Sequence, residues 1–182
     1  MFQKIFYYDF KLLEYIHLHR LKGADVLLKY LTEHATIISI GIVLLIFTTY
    51  FVTKKKHYLY TAINLSTILV ITALINISLK FIIRRERPYD EHPTIKWLVE
   101  GGSYSFPSGH SAEVFSLTMG IFLLIKNPYL KFFIAIWAIF IGYTRMAMGV
   151  HYPLDVLGGA TLGASVAYLW VKKVGFLKKY KS

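Results

Sequence analysis

The chain has 182 residues, of which 55% are apolar and 17% charged, with a formal net charge of +11 and a mean hydropathy of +0.49. Long uncharged runs leave no polar basic face, which argues against a nucleic-acid-binding domain and favours a membrane protein whose lysines mark the cytoplasmic side. The absence of cysteine excludes disulfide scaffolds, thiolate metal sites and cysteine nucleophiles.

The first 31 residues predict amphipathic helices that lie in the membrane interface. Large apolar side chains between Phe2 and Ile16 recur at helical spacing, with charged residues between them. A second short helix is expected over 25–31, after Gly23. The alternative is a frayed soluble tail. Asp9 and the lack of an apolar core region argue against a signal peptide.

Five runs with few or no charges follow, and each is long enough, with its flanks, to cross a bilayer. The predicted fold is therefore all-α: an integral membrane helical bundle of about five transmembrane helices, with N-terminal amphipathic interfacial helices, forming a single domain over 1–182. The predicted segments are the interfacial segment 1–31, spans at about 34–53, 58–82, 109–126, 130–147 and 154–172, and an outer loop over 84–107.

The distribution of charge predicts the orientation. With five spans the termini lie on opposite sides, and one side carries ten basic residues and no acid: Lys54, Lys55, Lys56, Lys126, Lys131, Lys172, Lys173, Lys178, Lys179 and Lys181. The other side carries eleven basic residues and all ten acids, so the count of basic residues alone does not decide. Several of those eleven belong to the motifs described next. The acid-free side is therefore taken as cytoplasmic, which gives an N-out/C-in topology.

The first motif is a cluster of cations at the end of the second span. Lys80, Arg84 and Arg87 are spaced i, i+4 and i+7 and share one face if the helix continues, while Pro88 predicts that the helix ends near Arg87. Together with Arg85 they place four cations in eight residues, which suits a phosphate. The alternative is that these long side chains only extend from the helix end to the polar surface of the membrane and bind no phosphate.

The second motif is the segment 105–111, directly before the third span. Ser108 is a candidate N-cap, and a helix N-terminus provides free N–H groups for an anion. Gly109 allows a ligand to approach the backbone, and His110 is placed to act as a general acid. The alternative is an ordinary helix cap with an interfacial histidine.

The third motif is the segment 144–155. Arg145 ends the fourth span and Pro153 suits the first turn of the fifth. His151 and Asp155 are four residues apart, as a nucleophilic histidine and its orienting carboxylate require. The alternatives are a capping pair or half of a metal site, for which only the His17-x-His19 spacing offers any support elsewhere.

In this order the three motifs resemble the signatures of the type 2 phosphatidic acid phosphatase (PAP2) superfamily, over Lys80 to Asp155. The matching residues are Lys80-x6-Arg87-Pro88, Pro107-Ser108-Gly109-His110 and Arg145-x5-His151-x3-Asp155. One departure is Thr144, where the family usually has serine before the arginine of the third motif.

The resemblance implies a metal-independent mechanism, without cofactor, through a phosphohistidine intermediate. His151 would attack phosphorus, Asp155 would orient it, and His110 would protonate the leaving oxygen. The residues implied to hold the phosphoryl oxygens are Lys80, Arg87, Ser108, Gly109 and Arg145. Arg84 lies outside the signatures, and its shared face with Lys80 suggests an accessory contact with a second phosphate or a lipid headgroup.

Several other residues carry simpler expectations. Glu113 is expected to support the N-terminal turn of the third span electrostatically rather than to touch substrate. Trp97, Tyr104 and Tyr152 are expected to be interfacial aromatic residues, and Met146 and Met148 to be packing residues.

The predicted function is hydrolysis of a lipid phosphate or diphosphate at the outer face of the bacterial cytoplasmic (inner) membrane. Candidate substrates are undecaprenyl diphosphate, phosphatidylglycerol phosphate and phosphatidic acid. The alternatives are a lipid A 1-phosphatase, a vanadate-dependent haloperoxidase and a non-catalytic lipid-binding protein. The expected partners are the lipid substrate and membrane lipids, with neither nucleic acid nor an obligate protein partner.

Overall fold

The computed structural model describes residues 2–174, which are helical with irregular connections and contain no strand. This confirms the all-α prediction. The helices are α1 (Phe2–Leu18), α2 (Asp25–Glu33), α3 (Ala35–Thr53), α4 (Lys56–Ile83), α5 (Pro88–Glu91), α6 (Gly109–Leu124), α7 (Pro128–Ala147) and α8 (Pro153–Leu169). A 3₁₀ turn over Lys22–Ala24 precedes α2, and a π-helical turn over Trp170–Val174 follows α8.

Four segments are long and apolar enough to cross a membrane: Ala35–Thr53, Lys56–Glu91, Pro128–Ala147 and Pro153–Lys173. The protein is therefore a multi-pass membrane protein. α6, at 16 residues, is apolar but shorter, and it lies at the centre of the bundle in contact with α3, α4, α7 and α8. Its short length is compatible with this position because neighbouring helices, rather than lipid, surround much of it.

α6 and α8 approach each other unusually closely, through glycines one turn apart on α8. A Cβ atom at Gly159 would lie 2.4 Å from the carbonyl oxygen of Ser108, and one at Gly163 would lie 2.0 Å from that of Ala112. Small residues at this spacing allow two backbones in a membrane to pack directly against each other. The contact aligns the N-terminal ends of α6 and α8, which carry His110 and Asp155.

The ends of these helices follow the local sequence. The Ser108 side chain accepts a hydrogen bond from the Ser111 N–H and caps α6, as predicted. Pro153 occupies the first turn of α8, also as predicted. The end of α4 differs from the prediction: the helix stops at Ile83, and Arg84 adopts a left-handed conformation with φ of 53°. The expected common face of Lys80, Arg84 and Arg87 is therefore wrong.

The N-terminal segment forms the two expected helices, and they pack against the end of the bundle that carries the three motifs. Leu13 and His17 of α1 are buried, and His17 Nδ1 lies 2.9 Å from the carbonyl oxygen of Ala147 at the end of α7. Burial lowers the pKa of His17, so the imidazole remains neutral in this contact. The position of these helices in the membrane interface stays a prediction. Of the predicted cytoplasmic lysines, Lys178, Lys179 and Lys181 lie outside the described residues.

Candidate active site

The three motifs meet at one end of the bundle, although 75 positions of sequence separate the first residue from the last. Arg87 Nη1 donates a hydrogen bond of 2.8 Å to the carbonyl oxygen of Val150 and lies 3.5 Å from His151 Nε2. The Ser108 N–H donates to the carbonyl oxygen of Asp155 at 3.0 Å. These contacts place a cation, a helix N-terminus and a histidine–aspartate pair around one small volume.

His151 is 2% exposed and directly precedes α8. Its Nδ1 lies 3.5 Å from Asp155 Oδ2, which is close enough for electrostatic pairing and longer than a good hydrogen bond. Burial and the positive charges of Arg145 and Arg87 lower the pKa of His151 to about 3, although Asp155 opposes the change. The imidazole is therefore neutral near pH 7, the form in which a ring nitrogen can act as a nucleophile.

Asp155 is fully buried, and several donors fix its carboxylate. Arg85 Nη1 donates to Oδ1 at 2.7 Å, while the Tyr152 N–H at 2.9 Å and the Ser105 hydroxyl both donate to Oδ2. A buried carboxylate with this many donors keeps its charge and its orientation. It can stabilise a positive charge that develops on His151.

Arg87 is buried and fixed by backbone carbonyl groups. Its Nε donates to the carbonyl oxygen of Ser103 at 2.6 Å, in addition to the contact with Val150. Gly101 makes this possible, because a Cβ atom there would lie 2.7 Å from Arg87 Cδ. The loop over 84–107 thus wraps around the guanidinium group and points it towards His151.

Arg145 and Lys80 are likewise held by neutral oxygen atoms. Arg145 is 2% exposed, its Nη1 donates to the Thr32 hydroxyl on α2 at 2.9 Å, and its buried Nε has no hydrogen-bond partner. Lys80 Nζ donates to the carbonyl oxygen of Tyr104. Within residues 2–174, neither of these cations nor Arg87 forms an ion pair. Neutral oxygens fix their geometry and leave their charge for an anionic ligand.

His110 lies in the first turn of α6, where it lines a groove of about 540 Å³ between α3, α4 and α6. Asn76, buried on α4, also lines the groove and donates a hydrogen bond of 3.3 Å to the carbonyl oxygen of Pro107. Most of the remaining lining side chains are apolar, including Ile40, Val43 and Leu44 of α3 and Leu69, Val70 and Ala73 of α4. The helix start that carries His110 therefore lies at a polar end of a mainly apolar groove.

The sequence motifs do not assign three residues of this network to the site. The sequence presents Arg85 only as one of four clustered cations, yet it bridges Asp155 and Asp9 with two hydrogen bonds of 2.7 Å. Asp9 offered a signal, because it lies at helical spacing with the apolar residues of α1, where a charged side chain is unexpected. Ser105 offered none, because only the folded chain brings it to Asp155.

The structure also bears on the other single residues named from the sequence. The prediction that Tyr152 is an interfacial aromatic residue is wrong, because Tyr152 is 1% exposed, stacks on Arg85 and donates a hydrogen bond to Glu91. Arg84 is exposed and its Nε donates to the carbonyl oxygen of Phe81, so its suggested accessory contact loses the shared face on which it was based. Met148 is a packing residue, as predicted, and is fully buried. The Trp97 side chain is exposed.

Glu113 contacts a neighbouring helix. Its Oε2 accepts a hydrogen bond of 2.7 Å from the Thr36 hydroxyl of α3, and its Oε1 is buried without a partner. Its support of the N-terminal turn of α6 stays a prediction. Elsewhere, residues 2–174 contain no cluster of three or more histidine, aspartate or glutamate side chains that could hold a metal ion.

The fold and this site define a helical membrane protein in which cations and a helix N-terminus surround a neutral histidine. The sequence pattern described as the PAP2 superfamily matches residues 61–179. The chain belongs to the PAP2 superfamily, and it is accordingly a membrane phosphatase, as the three motifs predicted.

Individual relatives agree with this membership. The chain is 31% identical over 174 residues to an undecaprenyl-diphosphatase of Sulfolobus acidocaldarius, covering 93% of this chain and 80% of the relative. It is 31% identical over 131 residues to a lipid A 4'-phosphatase of Bacteroides thetaiotaomicron, covering 66% of this chain but only 58% of that relative. The fold is similar to that of a PAP2-type phosphatidylglycerolphosphate phosphatase from Bacillus subtilis, with a TM-score of 0.78, 23% identity and coverage of 98% and 90%.

Proposed function

We propose that the protein hydrolyses a phosphate or diphosphate carried by a membrane lipid, with a histidine of the chain as nucleophile. One observation carries the proposal: the apolar groove between α3, α4 and α6 ends at His110, on which the charges of Lys80, Arg87 and Arg145 act electrostatically. An apolar chain would lie in this groove while its phosphate occupies the polar end. A soluble phosphate ester would have no use for the groove.

In this mechanism His151 Nε2 attacks phosphorus and forms a phosphohistidine. The bond between phosphorus and the leaving oxygen breaks, and His110, which must enter this step as imidazolium, gives that oxygen a proton. Water then attacks the phosphohistidine, His110 takes a proton from the water, and phosphate leaves His151 free. Asp155 supports the step because its charge stabilises the imidazolium form that exists while the phosphoryl group is attached.

The cations supply most of the stabilisation of the transition state. Phosphoryl transfer spreads negative charge over the non-bridging oxygens, and fixed positive groups lower its energy without reorganising. Lys80, Arg87 and Arg145 would contact these oxygens, together with Ser108 and the Gly109 N–H at the start of α6. The buried Arg145 Nε, which has no partner among the described residues, is one donor available for this purpose.

Undecaprenyl diphosphate and phosphatidylglycerol phosphate are the first substrates to test. Relatives that carry the names undecaprenyl-diphosphatase and lipid A 4'-phosphatase support a lipid-linked phosphate, and they differ in the lipid. We also propose that the site faces the outside of the cytoplasmic membrane. The lysines at 54–56 and Lys126 lie at the opposite end of the bundle, which would then be cytoplasmic.

The test is phosphate release by purified protein in detergent from a panel: undecaprenyl diphosphate, phosphatidylglycerol phosphate, phosphatidic acid and lipid A. We expect release from at least one lipid, unchanged by EDTA and abolished by His151→Ala. The matched control is His57→Ala, at the exposed opposite end of α4. Loss of activity with EDTA would refute the metal-independent mechanism. Absence of release from every lipid would refute the function, and halide oxidation with vanadate would then indicate a haloperoxidase.

The orientation has its own test, because the natural chain contains no cysteine. Glu100→Cys, in the outer loop, and Lys126→Cys, between α6 and α7, are exposed positions at opposite ends of the bundle. In intact cells a membrane-impermeant maleimide should label Glu100→Cys and leave Lys126→Cys unlabelled until the cells are broken. The reverse pattern would invert the proposed topology.

A further inference from the structure

Arg85 joins the N-terminal helix to the centre of the candidate active site. Its Nη1 donates to Asp155 Oδ1 and its Nη2 to Asp9 Oδ2, each at 2.7 Å. The guanidinium carbon lies 3.9 Å from the centre of the Tyr152 ring, which fixes the plane of the fork. One cation is thus shared between the carboxylate beside His151 and a carboxylate 146 positions earlier in the sequence.

Asp9 is attached to the site by a second contact. Its Oδ1 accepts a hydrogen bond of 2.8 Å from the Leu154 N–H in the first turn of α8, directly before Asp155. Asp9 is 6% exposed, and burial raises its pKa while Arg85 opposes that change. A buried carboxylate on an otherwise apolar helix face lowers stability unless it is paired, so its position here calls for a reason beyond packing.

Asp9 limits the contact between Arg85 and Asp155 to one hydrogen bond. A guanidinium group prefers to contact both oxygens of one carboxylate through two parallel hydrogen bonds. Asp9 holds Nη2, so Arg85 reaches Asp155 through Nη1 and Oδ1 alone. Oδ2, the oxygen nearest to His151 Nδ1, is left to Ser105, the Tyr152 N–H and the imidazole. Without the charge of Asp9, Arg85 would be free to take both oxygens and neutralise the carboxylate.

We propose that Asp9 and Arg85 are positioning residues for phosphoryl transfer, and that helix α1 thereby forms part of the active site. Asp9 divides the guanidinium fork of Arg85, and this division keeps Asp155 Oδ2 oriented towards His151. The inference rests on the proposed function, because it assigns these residues to the histidine-centred reaction. It does not make either of them a contact of the substrate.

The test compares Asp9→Asn with the wild type on whichever lipid phosphate the wild type hydrolyses. Asparagine keeps the size of the side chain and an oxygen for the Leu154 N–H but loses the charge. We expect kcat to fall about tenfold, in the range for a misoriented catalytic group, with KM changed less than twofold. The matched control is Glu14→Gln on the same helix, whose exposed pair with Lys11 should contribute nothing.

A double variant separates this role from a structural one. If Asp9 acts through Arg85, Asp9→Asn should cause no more than a twofold further loss of kcat in an Arg85→Gln background. Losses that multiply would show that Asp9 acts by another route and would overturn the proposal. An unchanged kcat in Asp9→Asn, or a loss matched by the fraction of unfolded protein in a melting curve, would overturn it as well.

Orthovanadate supplies a readout that does not need turnover. Vanadate adopts the five-coordinate geometry of phosphoryl transfer, so its binding reports the orientation of His151 rather than the affinity for the ground state. Vanadate binding is followed through the rise in melting temperature that it causes. We expect Asp9→Asn to weaken this binding by about tenfold, and Glu14→Gln to leave it unchanged. Equal binding in wild type and Asp9→Asn would refute the positioning role. A wild type that binds vanadate but releases phosphate from no lipid would refute only the lipid phosphatase function.

Discussion

The close contact between α6 and α8 predicts a large effect from one methyl group. In Gly163→Ala the new Cβ would lie 2.0 Å from the Ala112 carbonyl oxygen and 2.8 Å from the Ser116 N atom, both of them backbone atoms that cannot rotate away. Restoring an ordinary contact of 3.4 Å requires the two helices to separate by about 1.4 Å. We expect a loss of about 1–3 kcal/mol in the free energy of unfolding, as for other overpacked cores.

The same displacement reaches the site, because α6 carries His110 and α8 carries Asp155 at the ends that this contact aligns. A shift of about 1 Å between catalytic groups lowers a rate about 100-fold. The assay is phosphate release by the folded fraction of Gly163→Ala, together with its melting temperature in detergent.

The control is Gly41→Ala on α3, where a Cβ would meet nothing within 4 Å. Since alanine favours a helix over glycine by up to about 1 kcal/mol, this variant should be as stable as the wild type or more so, and fully active. Wild-type stability and rate in Gly163→Ala would refute the reasoning, because they would show that the two backbones separate at no cost to the site.

Three further predictions concern single side chains. Ser105→Ala removes a hydrogen bond to buried Asp155, so we expect a loss of about 1.5–3 kcal/mol in unfolding free energy and a lower kcat, and wild-type values would contradict the assignment. Thr32→Val frees the Arg145 guanidinium from α2 and should raise KM for the lipid substrate or weaken vanadate binding, whereas unchanged values would show that α2 does not position Arg145. His17 has a lowered pKa in the folded state, so protonation favours the unfolded chain and its stability contribution is lost as pH falls below about 6.5. The melting temperature should therefore drop between pH 7 and pH 5, and less steeply in His17→Gln; equal slopes would refute this linkage.

The parts of the site that could be predicted from sequence depend on local geometry. Ser108 caps α6 because a short hydroxyl side chain directly before an apolar run satisfies a free N–H group. Pro153 starts α8 because its fixed φ angle suits a first turn. His151 and Asp155 approach each other because they flank the same helix start. Each of these relations involves residues within four positions of one another.

The incorrect parts share a different cause. Arg84 shares a face with Lys80 only if α4 continues to near Arg87, but the chain turns at Arg84 and Arg85 points inward instead. The turn exchanges the two neighbouring arginines: Arg84 becomes exposed, and Arg85 reaches Asp155. The residue at which the helix ends thus decides which arginine contacts the site, and helix ends are less certain from sequence than the helices themselves.

Long-range contacts explain why the sequence motifs alone do not describe the site. The cations of the motifs are held by groups that carry no motif: the carbonyl groups of the loop over 84–107 for Arg87 and Lys80, and the Thr32 hydroxyl for Arg145. These supports are neutral, whereas Arg85, held by two carboxylates, has its charge compensated within the protein. The cations clustered at the end of α4 therefore fall into two groups: Lys80 and Arg87 are available to a phosphate, and Arg85 is committed to Asp155. The division depends on what each cation contacts in the folded chain, and it explains why a count of positive residues could indicate a phosphate site but could not assign their roles.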